Sequence, residues 1–480
     1  MATAHARLRE FLPDARELAV LFAARGLACV AAWHAGFRAL SDDDYARISI
    51  AQRFAHGPTL DPSGTSWLPA PFWAYGTAFR FFGTGLGVAR ATAIALALCA
   101  TVLVFAAARL LGGGRFGALL CAILSCLLVP YSVLLGIAAV PEVPCAALLL
   151  FAVASLARAE PNLRAQGGLA LVGASLARYE SWPVALIFAL FCAWDALRAR
   201  SPAFLGGVAL ALAGPALWLA LGRLEHGDAL FFVARVVGYR RALGGEHVSL
   251  ARSLSEYPRL LFWEAPGLFG GLSVYAVMRR KIGKHEGSSY GRATTALAGM
   301  LVFLMLGSVR DGVPTHHAAR VLLPIWFLGC VVFGLGMARF AGTRASRARI
   351  ALVVATMTAF PLFFDPRMSM SDLAQRSREI EAGQVARRHA VSALAIDTPD
   401  YGFFAVQAAF GSPGETTVLD DHDPCHPSAS PFRDAPSLDR ALRERGAKSV
   451  IVTTAHFPLL PARCSEELWH GDGFLLVRCL

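Results

Sequence analysis

Ser41-Asp42-Asp43-Asp44-Tyr45 stands directly behind the first long apolar run of the chain, and the reading of residues 40–83 organises the rest. Three consecutive carboxylates at a membrane edge are costly unless they are solvated or used. The pattern that follows predicts a short amphipathic helix over 46–56. Ile48, Ile50, Ala51 and Phe54 fall near one face, with Arg47 and Arg53 elsewhere. Ser41 or Asp42 can cap this helix, and Asp43 sits four residues before Arg47. Pro58, Asp61-Pro62 and Gly64 then interrupt the chain before Trp67-Leu68-Pro69 opens a second apolar piece. Acids, an interfacial helix and a Trp-Pro entry, in that order, exceed what a simple anchor needs.

Composition sets the class. The chain has 480 residues, 55% hydrophobic and 16% charged, with mean hydropathy +0.50; soluble domains carry about 25% charged residues. Apolar runs near the roughly 20 residues that cross a bilayer recur along it. The expected fold class is a polytopic α-helical membrane protein with a small C-terminal α/β domain. Spans are expected at 17–39, 86–110, 115–136, 142–158, 166–180, 182–197, 203–221, 258–278, 293–309, 320–339 and 349–365, about eleven in all. Residues 67–83 read as a helix partly inserted at the interface. The first span reads as retained, because no small-residue cleavage site follows it.

The net charge of +11 is unevenly spread. Residues 367–480 hold 12 Lys/Arg against 15 Asp/Glu, so the whole positive excess lies in the membrane part. Two basic loops stand out: Arg279, Arg280, Lys281, Lys284 and Arg292, then Arg339, Arg344, Arg347 and Arg349. Arg109/Arg115, Arg158/Arg164 and Arg198/Arg200 mark three more on the N-terminal side, which the positive-inside rule makes cytoplasmic. Residues 222–258 break the pattern, with Arg223, Arg235, Arg240, Arg241 and Arg252 on the outer side. No basic stripe interleaved with exposed aromatics points to nucleic acid.

The expected division is a membrane domain over 1–366, with its first outer loop at 40–67, and a soluble domain over 367–480 on the outer, periplasmic side. That tail reads as a helix at 372–394, strands at 393–397, 416–419, 448–454 and 473–478, and a helix at 437–446. Seven cysteines lie in apolar segments as small buried hydrophobes. Cys425, Cys464 and Cys479 lie in the exported tail, which permits one disulfide; Cys425 with Cys464 is the expected pair, leaving Cys479 free.

Four outer corners carry candidate chemistry. Asp42, Asp43 and Asp44 can supply a base for an acceptor hydroxyl, against the plainer role of solvated helix cap. Glu142, in Val140-Pro141-Glu142-Val143-Pro144, is a second acid or simply an N-terminal helix acid favoured by the dipole. Arg178-Tyr179-Glu180-Ser181-Trp182 reads as an interfacial aromatic belt with a local ion pair, although Arg178 closes an apolar run. His316 and Arg320 share a helix face before Val321-Leu322-Leu323-Pro324, where a guanidinium fork matches phosphate oxygens or snorkels to headgroups. Asp420-Asp421-His422-Asp423-Pro424-Cys425-His426 lacks a metal-ligand spacing and reads as a solvated loop. No Walker loop is present.

In this order the motifs resemble the GT-C superfamily of polyprenyl-phosphate-dependent membrane glycosyltransferases, nearest its bacterial branch of protein O-mannosyltransferase and aminoarabinose transferase homologues. The resemblance rests on Asp42-Asp43-Asp44-Tyr45 leading to Trp67-Leu68-Pro69-Ala70-Pro71, on Phe82-Gly83 followed by Arg90, on the Glu142 and Arg178-Tyr179-Glu180 corners, and on His316…Arg320-Val321-Leu322-Leu323-Pro324. The family has Tyr where this chain has Val321, and an Asp-Glu where this chain has three acids. The resemblance implies an inverting enzyme of the bacterial inner membrane. It would move a sugar from a polyprenyl-phosphate donor to a lipid, glycan or protein acceptor on the periplasmic face. It implies Asp43 as base among Asp42, Asp44 and Glu142, and Arg320, His316, Arg178 and Arg240 as ligands of the lipid phosphate. A divalent metal is optional in it, and no metal ligand is assigned. The rival readings are an O-antigen ligase or polymerase, which shares the donor, and a lipid-linked-sugar transporter, which would show repeated halves and mid-span charges.

The orientation makes a direct prediction. A reporter active only in the periplasm and fused after Leu480 should be active; activity confined to a cytoplasmic reporter would reverse the sidedness of every corner above.

Overall fold

The structure, a computed structural model, describes residues 10–242, 249–279, 288–311, 317–340, 343, 346, 375–422 and 430–479. Helices dominate up to Arg339. They are α1 (Ala15–His34), α2 (Asp42–His56), α3 (Ala70–Phe82), α4 (Leu86–Leu110), α5 (Arg115–Leu127), α6 (Pro130–Leu134), α7 (Glu142–Ser155) and α8 (Pro161–Ser175). Then follow α9 (Ser181–Ala199), α10 (Leu205–Glu225), α11 (Phe231–Ala242), α12 (Leu250–Trp263), α13 (Pro266–Arg279), α14 (Ser288–Asp311) and α15 (Leu323–Arg339). Five segments among the described residues are long and apolar enough to cross a membrane: Leu86–Leu110, Ser181–Ala199, Pro202–Glu225, Tyr290–Arg310 and Ala318–Arg339. α5 and α7 are shorter apolar helices.

Proline decides where the sequence reading and the structure part. The stretch expected as one span over 115–136 breaks at Val129, which is extended, and α6 starts anew at Pro130. The stretch expected over 258–278 is two helices, parted at Glu264-Ala265 ahead of Pro266. The expected span at 349–365 lies outside the described residues.

The largest correction concerns α2. It starts at Asp42, so the acids form its first turn and do not precede it; Ser41 holds the N-cap position without a side-chain hydrogen bond to the helix. Nor is it a one-faced interfacial helix. Asp44 through Gln52 are buried without a break, Arg47 included. α3 covers one side, where Gly76 sits so close that a Cβ there would meet Phe54 Cδ1 at 2.3 Å. The C-terminal domain covers another. Tyr45, Ile48 and Ala51 share one apolar cluster with Ala405 and Ala408, and Gln52 Nε2 donates to the carbonyls of Thr84 at 2.7 Å and Ala408 at 2.9 Å.

The C-terminal domain is a sheet between helices. Its helices are α16 (Ser377–Arg388), α17 (Phe403–Phe410) and α18 (Ala435–Glu444). Its strands are β1 (Leu394–Ile396), β2 (Thr416–Val418), β3 (Ser449–Thr453), β4 (Glu466–His470) and β5 (Phe474–Arg478). Their order is β2-β1-β3-β5-β4, with β1 parallel to both neighbours and β5 antiparallel to β3 and β4. Side-chain alternation separates two cores. Leu394, Ile396, Ile451, Phe474 and Leu476 pack under α16 and α17, while Ala395, Val450, Val452, Leu475 and Val477 pack with Leu438 and Leu442 of α18. β4 and α17 escape the sequence reading. The first is a polar edge strand, Glu466-Glu467-Leu468-Trp469-His470, and the second is a run of apolar residues too short to show a period.

Cys464 bonds to Cys479 across 15 residues, which overturns the expected pairing with Cys425. Cys479 closes β5 beside β3, and both sulfurs join the α18-side core; Cys425 lies outside the described residues. Non-reducing peptide mapping should therefore recover the Cys464–Cys479 bridge. Cys464→Ser should cost the domain about 3 kcal/mol, the chain-entropy value for a loop of that length, read by denaturant unfolding.

Candidate active site

Successive residues on a helix point about 100° apart, so the three acids opening α2 face three different partners. Asp44 points into the protein and is fully buried. Its Oδ1 accepts the Ala139 N–H at 2.6 Å and its Oδ2 lies 3.5 Å from Arg90 Nη1. Arg90 in turn donates to the carbonyls of Ile137, at 2.8 Å, and Arg38. Burial raises the Asp44 carboxyl above its ordinary range, against the pull of Arg90 and the Ala139 amide. Asp42 faces the C-terminal domain, where Arg376 Nε and Nη2 each donate to it at 2.8 Å. Asp43 is the open one: its side chain is 41% exposed and its Oδ2 lies 3.3 Å from Arg320 Nη2.

Arg320 joins this helix to the next corner. Its Nε lies 3.3 Å from Glu142 Oε1. Glu142, the first residue of α7, is buried, and the same oxygen receives Arg178 Nη1. Arg178 also binds Glu180 through Nε. Burial opposes the charge on Arg178, but Glu180 and Glu142 outweigh it and raise the guanidinium above its ordinary value. A third cation of this cluster, Arg47, lies one helical turn beyond Asp43 and is 8% exposed. Its guanidinium stacks over Trp67 at 4.4 Å, and burial lowers its pKa against the fields of Glu142 and Asp43. Among the described residues three buried polar atoms here have no hydrogen-bond partner: Glu142 Oε2, Arg320 Nη1 and Arg47 Nε. Such atoms are costly in a protein interior.

The four corners singled out in the sequence thus converge: Asp43, Glu142, Arg178 and Arg320 form one chain of ion pairs. His316 lies outside the described residues. Arg240 falls on α11, with its side chain outside the described set. Tyr179 and Trp182 are partly buried and pack against Leu68, Trp218 and Phe232. Tyr179 OH donates to the Ser66 carbonyl at 2.8 Å and accepts Trp218 Nε1 at 3.0 Å, and its ring stacks on Phe232. They anchor the 58–69 loop and leave the charges to Arg178. Sequence reading missed Arg47 as part of the site, although its position four residues after Asp43 on one helix face was the available signal. It also missed Arg376, for which no local signal exists.

One group of side chains has metal-ligand spacing among the described residues. Asp61, Glu225 and His226 offer ligand atoms within 4.8 Å of one another. Asp61 already serves the loop, accepting from Ser63 and Gly64 through Oδ1, and His226 stacks on Phe231.

The partition of the acids predicts an order of stabilities. Asp44→Asn strips Arg90 of its buried counter-charge and should cost about 3–5 kcal/mol. Asp43→Asn, at a part-exposed pair, should cost about 1 kcal/mol or less. Thermal unfolding in detergent checks the order, and equal midpoints for the two variants would contradict the burial of Asp44.

No protein-family model matches the chain, and no curated protein matches it in sequence. Solved structures match it in fold. ArnT from Cupriavidus metallidurans, bound to undecaprenyl phosphate, superposes with a TM-score of 0.64 at 13% identity, over 97% of this chain and 98% of that one. Its apo form gives 0.60 at 13% identity, over 96% and 97%. The archaeal oligosaccharyltransferase AglB from Archaeoglobus fulgidus, in complex with an inhibitory peptide and a dolichol-phosphate, gives 0.52 at 14%, over 92% of this chain and 69% of that one. The chain therefore shares the fold of these ArnT and AglB structures.

Proposed function

We propose that the protein is an inverting glycosyltransferase of the bacterial inner membrane that moves a sugar from a polyprenyl-phosphate donor to a lipid, glycan or protein hydroxyl on the periplasmic face. One observation carries the reading. An open carboxylate, Asp43, pairs with Arg320, Arg320 and Arg178 meet on the buried Glu142, and Arg47 lies within the fields of Asp43 and Glu142. The end-to-end likeness to ArnT, a structure solved with undecaprenyl phosphate bound, supports a lipid-phosphate donor.

In this reading Asp43 accepts the proton of the acceptor hydroxyl, whose oxygen attacks the anomeric carbon. The bond from that carbon to the phosphate oxygen breaks, and the polyprenyl phosphate leaves with the electron pair. A single displacement inverts the anomeric centre. Negative charge grows on the leaving phosphate, and Arg320 and Arg178 are held where they can meet it. Fixed cations of this kind need no reorganisation during the step. Glu142 keeps the two guanidiniums together, and the unmatched Arg320 Nη1 and Arg47 Nε are donors left over for an anion. His316 and Arg240 are further candidates for the donor phosphate. Asp42 and Asp44 are engaged by Arg376 and Arg90 and act here as supports, not as bases.

The reading is tested with purified full-length protein in detergent and a panel of undecaprenyl-phosphate-linked monosaccharides. Mass spectrometry of surface glycans in a deletion strain identifies the sugar and acceptor to use. Asp43→Asn should lower transfer by about 10²-fold or more. Arg320→Lys, which keeps charge but loses the fork, should weaken undecaprenyl phosphate binding while Asp43 stays in place. Full transfer with positions 42, 43 and 44 all changed to Asn would remove the base from this helix and send the search to Glu142 and Glu180.

A further inference from the structure

Asp43 is flanked by two gripped neighbours, and one of the grips comes from the C-terminal domain. On one side, the Ala139 amide and Arg90 hold Asp44. On the other, Arg376 forks onto both oxygens of Asp42 at 2.8 Å each. Arg376 is itself held: its Nη1 lies 3.2 Å from Glu379 and 2.9 Å from Asp400. Its backbone has φ 51°, a left-handed conformation that non-glycine residues adopt only when the surroundings enforce it. The residue before it, Gln375, accepts the Tyr45 hydroxyl at 3.1 Å through its carbonyl, so Asp42 and Tyr45, three residues further along α2, are held by two adjacent residues of the C-terminal domain.

The domain has further contacts with α2 besides this fork. The apolar contacts of Ala405 and Ala408 with Ile48 and Ala51, and the Gln52 bonds to Ala408 and Thr84, already hold the domain further along α2. The fork adds a constraint at the first turn, one residue from Asp43. A helical turn is stiff, so gripping Asp42 and Asp44 from two sides fixes the direction in which Asp43 projects.

We infer that Arg376 is a positioning residue: through Asp42 it lets the C-terminal domain aim the Asp43 carboxylate at the acceptor. The inference rests on Asp43 being the base, as proposed above. It makes the domain a working part of the site and not only a cover for α2.

The test compares Arg376→Ala, Asp42→Ala, their double variant, Arg376→Lys and Asp43→Asn in the full chain. Three quantities are measured: kcat with whichever undecaprenyl-phosphate-linked monosaccharide turns over, the Kd for undecaprenyl phosphate, and the thermal midpoint. Each alanine variant should lower kcat by about 10-fold to 10²-fold, the cost of a misaimed catalytic group. The Kd should stay within about twofold, because the phosphate cations are untouched. The double variant should match the worse single one, since each single variant already removes the Arg376–Asp42 fork. Arg376→Lys, with charge but no fork, should fall between parent and Arg376→Ala. Should an alanine variant fail to fold, Asp42→Asn and Arg376→Lys carry the same comparison. A lowered midpoint with kcat per folded molecule unchanged would reduce the fork to docking and overturn the inference, as would multiplicative losses in the double variant. Asp43→Asn separates the two claims: inactive Asp43→Asn beside fully active Arg376→Ala overturns the positioning role alone, whereas active Asp43→Asn overturns the base.

Discussion

A buried carboxylate must have opposite charge brought to it, and Glu142 meets that condition at the start of α7. It lies at 2% exposure, where an unpaired charge would be expelled or neutralised. Arg178 reaches it from the corner between α8 and α9, and Arg320 from the turn before α15. Because these guanidiniums come from different hairpins, satisfying one acid draws three loops to one point. Arg320 extends the link to Asp43 and so attaches α2. The packed helices below supply the apolar core, but the convergence of their ends follows from this set of ion pairs.

The same logic orders α2. A helix whose residues 44–52 are all buried cannot lie alone at an interface. It needs α3 and the 83–90 corner on one side and the C-terminal domain on the other. The domain supplies small residues, Ala405 and Ala408, that let its backbone approach, and a carbonyl that takes the Gln52 amide. At the domain's own α16–α17 contact a Cβ on Gly383 would lie 2.4 Å from the Val406 carbonyl oxygen, so the tight fit continues into its interior. Packing of this closeness makes the orientation of the first turn of α2 a property of two domains together.

Sequence reading recovered much of the framework. The apolar runs located most helices, four of the five strands were placed by alternation, and the corners at Asp43, Glu142, Arg178 and Arg320 were marked by charge at the ends of apolar segments. It failed where local pattern is silent. A polar edge strand such as β4 has no buried face to alternate with. Helix breaks at Val129 and Glu264 depend on prolines inside runs that remain apolar throughout. The amphipathic pattern assigned to α2 assumed water on one side, whereas the structure puts protein there.

What the sequence by itself determined is the set of segments and the positions where charge is left at their ends. Both follow from hydrophobic period and length, which are local properties. Only the tertiary structure decided what each charge does. Asp42, Asp43 and Asp44 are chemically identical and adjacent, yet one binds Arg376, 334 positions away, one faces Arg320, and one is buried on Arg90. Likewise three tail cysteines allow three pairings, and the antiparallel pairing of β4 with β5, which sets Glu466 opposite Arg478, brings Cys464 to Cys479. An ion pair or disulfide joins residues that the chain brings together only after folding. The helix turns each successive side chain toward a different neighbour, so the role of a residue is set by the partner it meets and not by its place in a motif.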